Sequence, residues 1–579
     1  MRLPLLKLVA LATAAAASAG LESKLPRRVK EVKNVAIIGA GAAGTSAAYY
    51  LRKFAEEEGL AVNITVFEKT DHIGGRTITV NAFNDPRQRV ELGASIFIKD
   101  NHIMYNATKN FNLSPTGLTE PQPTDYTAIW DGETILFKSE AGASKWWDAA
   151  RLFLKYGLVP YRAVRLVKSS VGTFLRLYDA PYFPFRSLTQ RAFELGLLRL
   201  TGVTAVANSP VLIRSVPKIN PDFVRDLMQS ATRVNYASNM AYIHGLEAMS
   251  TRLLIQQVSF STDGAVAIAG GNWQIFEKLL QHSGAAYYPN TSVAALAFQK
   301  GTDKPGSAPK YLVSTKSSTS RSKAMMLPTA FDNVILASPW QFSDIEAAHG
   351  VIKHRIDTIP YMKLHVTLFT SPFLLQPSFF GLKAGTKAPS NVYTTLGKDE
   401  EAHEGPKGVG RTGFYSISTL RTVTNPRTQG KEFLYKIFSA EPVNSTFLSD
   451  ILGTPVPPTF ISNETTSEVE PISWYYPHWF YSYPIESPRV TFQDPIVGRG
   501  LYYTSGVESF ISTMETSALM GMNVARLMAD DFAGVTRSRR GDRFAGAGDT
   551  RPRAPREDFW DSMDSEMGAS MNFLGADEL

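Results

Sequence analysis

Gly39-Ala40-Gly41-Ala42-Ala43-Gly44 leaves fewer folds open than any other feature of the chain. It follows directly on the apolar run Val35-Ala36-Ile37-Ile38 and opens an Ala-rich stretch of helical spacing from Ala43 to Glu58. A second β-branched run, Val62 to Phe67, comes next. This is the layout of a β-α-β unit with a G-x-G-x-x-G turn. The first glycine allows a tight turn, the second lets backbone approach a pyrophosphate, and the third lets helix and strand pack closely. The orphan N–H groups of the helix then face the phosphates. Glu68 ends the second strand, 24 residues after Gly44, where a carboxylate can hold ribose hydroxyls. Gly39, Gly41, Gly44 and Glu68 are therefore expected to bind a dinucleotide.

The chain carries its own control. Gly408-Val409-Gly410-Arg411-Thr412-Gly413 also fits the pattern, but it follows a charged stretch and precedes the strand-like Phe414-Tyr415-Ser416-Ile417. Without a strand before it and a helix after it, it is not expected to bind phosphate. Composition narrows the chemistry further. There is no cysteine, so disulfides, thiolate metal sites and iron–sulfur clusters are excluded. Redox work must then fall to a bound organic cofactor or an oxygen/nitrogen metal site. The nine histidines form no HxxxH-type pair, and no metal is expected. A net charge of +7 over 579 residues does not suggest nucleic acid. Beyond Glu68, Gly74-Gly75-Arg76-Thr77 resembles the FAD-binding loop of glutathione-reductase-like and amine-oxidase-like flavoproteins. With one credible fingerprint, no nicotinamide domain is visible, so electrons are expected to pass to O₂. A reductase with an atypical NAD(P) site is the alternative.

Both ends read as addresses. Arg2 and Lys7 precede an apolar run from Leu8 to Ala19, and Ala17-Ser18-Ala19 suits cleavage of a signal peptide at 1–19. The run is 12 residues, too short to span a bilayer. Ala576-Asp577-Glu578-Leu579 resembles an ER-retrieval signal. Six glycosylation sequons start at Asn63, Asn106, Asn112, Asn290, Asn444 and Asn463. Asn63 is expected in a buried strand and unmodified. A soluble lumenal protein of the ER is expected, with vacuole or lysosome as the alternative. From residue 534 the chain turns Gly-, Pro- and Arg-rich, and the tail at 534–579 is expected to be disordered. The stretch from Lys145 to Leu200, with Trp146, Trp147, Tyr156, Tyr161 and Tyr178, reads as helical. It is expected either to cap a substrate domain or to touch a membrane peripherally.

Further motifs carry a family resemblance. Arg233-Val234-Asn235-Tyr236, Gly270-Gly271-Asn272, Leu364-His365-Val366-Thr367, the Trp474…Tyr476-Pro477 segment and Tyr502-Tyr503…Gly506-Val507-Glu508…Met514-Glu515 resemble the prenylcysteine oxidase (prenylcysteine lyase) family. The likeness runs from about Asn34 to Met528. It implies an α/β fold: a Rossmann-type FAD-binding domain, glutathione-reductase/amine-oxidase-like, with a mixed-sheet plus helical substrate domain. The FAD domain is expected at 30–135, 255–340 and 490–533, and the substrate domain at 136–254 and 341–489. The implied activity is FAD-dependent oxidation of farnesyl- or geranylgeranyl-cysteine with O₂ and water to a prenyl aldehyde, cysteine and hydrogen peroxide. Another lipophilic amine, alcohol or terpenoid is the alternative substrate. By position, Gly75 and Arg76 should meet the pyrophosphate, Val293 the adenine, and Gly506 and Glu508 the ribityl end, before a closing helix from Thr513 to Leu527. His365, His478 and Lys363 are the candidates for a catalytic base. Arg233 and Asn235 read equally as ligands for the amino-acid head or as caps of a local turn. The aromatic run Trp474 to Tyr483 reads either as pocket lining or as an ordinary core strand, with the lining favoured because Pro477 and Pro484 should break regular strand pairing.

Overall fold

A computed structural model describes residues 31–116, 126–140, 145–207, 221–250, 265–302, 308, 310–319, 325–458 and 470–535. The signal peptide, the cleavage site, Asn463, the retrieval-like C-terminus and nearly all of the polar tail lie outside these residues, as do the side chains of Trp146 and Trp147.

The fingerprint folds as read. Strand β1 (Lys33–Ile38) leads into helix α1 (Ala42–Glu57) and strand β2 (Val62–Phe67). Val35, Ala36 and Ile37 are fully buried, as expected of a parallel strand covered on both faces. The sequence then passes through β3 (Thr79–Asn81), β4 (Arg89–Glu91) and α2 (His102–Asn110), whose residues lie against the first layer. Strands β5 (Tyr126–Trp130) and β6 (Ile135–Glu140) come next, followed by helices α3 (Lys145–Tyr156), α4 (Val159–Leu175), α5 (Gln229–Tyr236) and α6 (Gly245–Ser250).

Helix α7 (Trp273–Ser283) precedes β7 (Ala286–Tyr288), β8 (Thr291–Phe298), β9 (Tyr311–Ser317) and β10 (Asn333–Leu336). Long strands follow: β11 (Tyr361–Ser371), β12 (Asn391–Thr394), β13 (Phe414–Thr424), β14 (Lys431–Ser439) and β15 (Trp474–Pro484). The described chain closes with β16 (Ile496–Gly498), β17 (Leu501–Tyr503) and α8 (Met514–Ala533).

Two sheets organise these elements. A six-stranded sheet runs β7-β2-β1-β10-β17-β16, parallel except for its β16–β17 edge. A seven-stranded sheet runs β15-β11-β14-β13-β12-β5-β6 and is antiparallel apart from the β12–β5 pair. The Rossmann-type layer and the mixed-sheet layer expected from sequence are both present. The boundary expected at residue 135 differs: β5 pairs with β12 and so belongs to the seven-stranded sheet. Residues 346–347, assigned above to the substrate domain, pair with β8 in a separate four-stranded sheet. Asn63 also departs from expectation. It lies in β2, but its side chain alternates outward, is exposed, and donates to Asn34 Oδ1 at 3.1 Å.

The helix layer explains one demand on the sequence. Ala43, Ala47 and Ala48 give α1 a flat face for α8. A Cβ on Gly521 of α8 would lie 2.2 Å from the carbonyl oxygen of Ala43. Gly521→Ala is therefore expected to push the helices apart and cost about 1–3 kcal/mol. Gly172→Ala, in α4 with nothing within 4 Å of the added atom, should instead gain about 0.5–1 kcal/mol. Thermal midpoints of the two variants should move in opposite directions.

Candidate active site

Two glycine loops meet at the start of α1. Gly39 has φ +110°, and a Cβ there would sit 2.9 Å from the Ala337 carbonyl oxygen. A Cβ on Gly44 would stand only 1.9 Å from the Gly39 carbonyl oxygen. Gly41 caps α1 with no side chain bonded to the helix terminus. Gly74 donates to the Ala40 carbonyl at 2.9 Å, and a Cβ on Gly75 would touch the Gly41 Cα at 3.4 Å. These two loops form a cradle in which a helix N-terminus and bare backbone face outward, the donor set a pyrophosphate needs.

Glu68 is buried at the end of β2. Its Oε2 accepts from the Ala40 amide at 2.9 Å, and its Oε1 accepts from the Thr70 amide and hydroxyl. The carboxylate is thus fixed against the glycine loop. Val293, on β8, lies two residues beyond Thr291, whose amide donates to the Glu68 carbonyl at 2.7 Å. The structure therefore gathers Gly39, Gly41, Gly44, Glu68, Gly75 and Val293 in one region, and the residues present fit a dinucleotide. Gly506 is different. Its missing side chain accommodates Gln493, whose Cβ would lie 2.7 Å from an added Cβ, so close packing accounts for this glycine.

Arg76 and Glu508 are brought face to face. Arg76 Nη2 donates to Glu508 Oε2 at 2.5 Å, and Nη1 donates to the Ser482 carbonyl at 2.9 Å. Glu508 is only 3% exposed, and the hydroxyl of Tyr361 also donates to it, at 2.8 Å. Burial and this carboxylate push the Tyr361 phenol up, so it remains a donor. The guanidinium lies 5.9 Å from the centre of the Tyr361 ring. This group joins the glycine loops to β11 and β15 of the other sheet. Tyr361 was not among the sequence candidates; its place at the head of β11, four residues before His365, was the available signal.

The three candidates for a base do not converge. Strand register pairs Lys363 with Tyr481, His365 with Trp479, and Val366 with His478. Lys363 and His365 therefore share one face of the seven-stranded sheet, and His478 lies on the other. Lys363 is exposed, with its ammonium 4.3 Å from the Trp479 ring centre. His365 is buried, and burial followed by the charge of Lys363 pushes its pKa down. His478 is also pushed down by burial and stacks between Tyr476 and Phe480, at 6.3 and 5.4 Å.

Both faces reach the cofactor layer: Tyr361, at the head of β11, alternates with Lys363 and His365 and meets Glu508, while the His478 face packs on β4. Leu364, Val366 and Leu368 share it and pack with Val90 and Leu92, the latter just beyond β4. Lys436 shares it too, through its pairing with Leu368. Its ammonium donates to the Glu91 carbonyl at 2.8 Å and to Ser95 Oγ at 3.1 Å. Burial pulls the lysine down to about 8, partly countered by Glu91. Burial raises the Glu91 carboxyl to about 7, although the Asn272 amide donates to it at 2.6 Å. Lys436 was missed from sequence; a lysine inside the buried run Leu434–Ile437 was the signal.

Other readings resolve plainly. Arg233 is fully buried and donates to the carbonyls of Gly408, Val409 and Thr394 and to the hydroxyls of Thr394 and Thr412. It braces the turn formed by the second glycine-rich stretch, which is a 3₁₀ segment (Gly405–Thr412) and not a phosphate loop. Asn235 bonds back to the Ala231 carbonyl in its own helix. Neither points to an amino-acid ligand. The aromatic run pairs with β11 from Trp474 to Pro484, with one bulge at Ser482 and none at Pro477. Pro477 is tolerated because β15 is an edge strand, where one side needs no amide donor. Its ladder of Trp474, Tyr476, His478 and Phe480 still covers the face that packs on β4.

Next to Glu508 lies a group of buried acids. His244, Glu247 and Glu486 are all at most 1% exposed. His244 Nδ1 accepts from the Glu247 amide at 3.1 Å, and burial lowers the ring pKa to about 4, so it is neutral at physiological pH. The Ser512 amide is turned toward the Glu486 carboxyl but does not offset its burial. Burial and the neighbouring Glu247 carboxyl push Glu486 well above the usual range. One proton shared by the pair satisfies both groups.

Comparison with known proteins agrees with this layout. The family model described as prenylcysteine lyase matches residues 139–540, and one for an NAD(P)-binding Rossmann-like domain matches 37–109. Farnesylcysteine lyase of Arabidopsis thaliana is 26% identical over 514 residues, covering 86% of this chain and 88% of the relative. Prenylcysteine oxidase 1 of Homo sapiens is 25% identical, covering 87% and 90%. Among solved structures, cyclohexylamine oxidase from Brevibacterium oxydans has a TM-score of 0.50 at 14% identity, covering 86% of this chain and 99% of its own. A putrescine oxidase triple mutant gives 0.50 at 14% identity, covering 86% and 98%. The two oxidases share the fold.

Two outcomes follow from the buried groups. Arg233→Leu strands several carbonyls and should cost about 3 kcal/mol or more in urea unfolding. Glu486 has a raised folded-state pKa, so its stability contribution is complete below its ordinary value of 4.5 and is lost as pH rises through the raised one. Glu486→Gln should remove that decline, which a pH series of unfolding curves measures.

Proposed function

The chain belongs to the prenylcysteine lyase family, and on that premise we propose that it is an FAD-dependent thioether oxidase acting on prenyl-L-cysteine. The overall reaction is prenylcysteine plus O₂ plus water giving a prenyl aldehyde, cysteine and hydrogen peroxide. The C–S bond breaks, the carbon beside sulfur is oxidised, and O₂ is reduced by two electrons. The observation that carries the reading is the double glycine cradle, with Glu68 fixed against it and the Arg76–Glu508–Tyr361 group closing it against the second sheet.

When bound, FAD would supply the hydride acceptor and the route to O₂. Gly39, Gly41, Gly44 and Gly75 would hold its pyrophosphate, Glu68 a ribose, and Val293 the adenine end. Arg76 and Glu508 hold each other, so each fixes the other's orientation. The aromatic ladder of β15 and the leucines of β11 give the face that packs on β4 an apolar lining, which suits a prenyl chain. Lys436, held by the Glu91 carbonyl and Ser95 and shifted toward neutrality, is the base we assign to the water step. Lys363 lies on the face of β11 that also carries Tyr361, but it is exposed there beside Trp479 and is assigned no role. The sequence-level expectation of a lumenal location is part of the same proposal.

Anaerobic mixing of the purified yellow protein with farnesylcysteine should bleach the flavin band, and air should then yield peroxide and farnesal. A flavin that stays oxidised with farnesylcysteine but bleaches with a lipophilic amine or alcohol would replace the substrate. Lys436→Met should lower aldehyde turnover about a hundredfold, while Lys363→Ala should leave it within about twofold. Glu508→Gln should release flavin, read as a lower ratio of flavin to protein absorbance.

A further inference from the structure

Helices α3 and α4 bury one face and leave the other unusually apolar. Leu152, Tyr156, Val159, Ala163, Val164 and Val167 enter the core. On the outer side, around the Gly157 turn, Phe153 is 51% exposed, Leu154 83%, Leu158 41% and Tyr161 38%. Large side chains so exposed on consecutive turns form a patch that a solvated surface does not require. The charge around it is predominantly positive, with Glu140 of β6 the acidic neighbour of Arg151. Residues 145–168 hold six Lys and Arg against the single acid Asp148. Arg151 and Arg165 are exposed on either side of the apolar group, and Arg165 lies over the Tyr161 ring at 6.0 Å. Lys155 is tied to Asp226 at 3.0 Å, which fixes α3 and so the direction of its outward face.

We propose that this outer face of α3 and α4 is a docking surface for an anionic lipid bilayer. Apolar side chains entering the headgroup boundary and flanking arginines on acidic headgroups are the two terms that hold an interfacial helix. Among the described residues no helix is long and apolar enough to cross a membrane, so the contact is peripheral. The choice of a bilayer over a protein partner rests on the proposed substrate class, since a prenyl chain partitions into lipid. The position of the patch suits delivery. The core beneath it includes Phe223, Tyr236 and Tyr483, and Tyr483 adjoins Ser482, whose carbonyl holds Arg76. The patch thus lies over the core that borders the Arg76 end of the site.

The test uses the full purified flavoprotein in vesicle flotation. Phosphatidylcholine vesicles containing phosphatidylserine are compared with phosphatidylcholine alone. The protein should float with the anionic vesicles, and added salt should release it. Phe153→Ser with Leu154→Ser, and separately Arg151→Glu with Arg165→Glu, should each cut the floated fraction about tenfold. No flotation with anionic vesicles overturns the proposal, as does flotation that both double variants retain. A dimer that the Phe153/Leu154 variant splits, without vesicle binding, would give the patch to a second copy and also overturn it. Turnover of farnesylcysteine in detergent is measured alongside and should be unchanged in both variants. Its absence in the unsubstituted protein would count against the substrate reading and leave the flotation result standing.

Discussion

The ion pair between Arg76 and Glu508 ties the molecule together across 432 residues of sequence. Arg76 follows the second glycine loop, and Glu508 lies between the last strand of the parallel sheet and the closing helix. Tyr361 and Ser482 bring in two strands of the other sheet. A nearly buried carboxylate is tolerated only where donors satisfy it, and here one comes from the second glycine loop and one from the seven-stranded sheet. The pair therefore acts as a hub as well as a site: removing either member would leave a charge inside the seam between the two layers. The neighbouring Glu247–Glu486 pair must hold a proton for the same reason.

What could be read from sequence follows from how local each determinant is. The β1-α1-β2 unit was legible nearly to the residue because its signals lie within one span: apolar strand, glycine turn, alanine helix, acidic strand end. The fingerprint at 408 was rejected on the same local grounds, and Arg233 shows what that turn needs in place of phosphate. Glu68 follows from the fingerprint and Val293 from the family resemblance alone; the Thr291 amide on the Glu68 carbonyl is what places the two near each other. The side of a strand on which a residue lies was not legible. Lys363 and Lys436 are both lysines in long β-strands. Only the register with Tyr481 and Leu368 shows that one is outward and the other on the face that packs on β4. His365 and His478 are both candidates for a base in sequence, yet strand alternation puts them on opposite faces.

The aromatic strand β15 shows a second kind of misreading. Proline in a strand argues against regular pairing only if both sides of the strand must bond. On an edge, Pro477 loses nothing, and it also discourages a further strand from adding there. The same residue that suggested an irregular pocket wall protects a regular sheet edge. Lining and core are then not alternatives for this run. Its even positions cover the apolar face shared with β11, and its odd positions, Trp479 and Tyr481, are exposed beside Lys363 and Phe342.

This division also bears on why a base was hard to find. Oxidation beside a sulfur atom asks the protein mainly for position, an apolar lining and exclusion of water, because sulfur and an allylic chain already stabilise the electron-poor carbon. Such demands are met by backbone loops, aromatic ladders and aliphatic strands, none of which has a short motif. The titratable groups that remain near the cofactor layer are mostly occupied: Glu508 by Arg76 and Tyr361, Glu91 by Asn272, Glu486 by Glu247. Lys436 differs in that its hydrogen bonds go to a carbonyl and a hydroxyl, while the nearby Glu91 carboxyl counters only part of the effect of burial. A group held in place but shifted toward neutral pH by burial can exchange a proton. A group locked in an ion pair cannot do so without breaking the seam it holds.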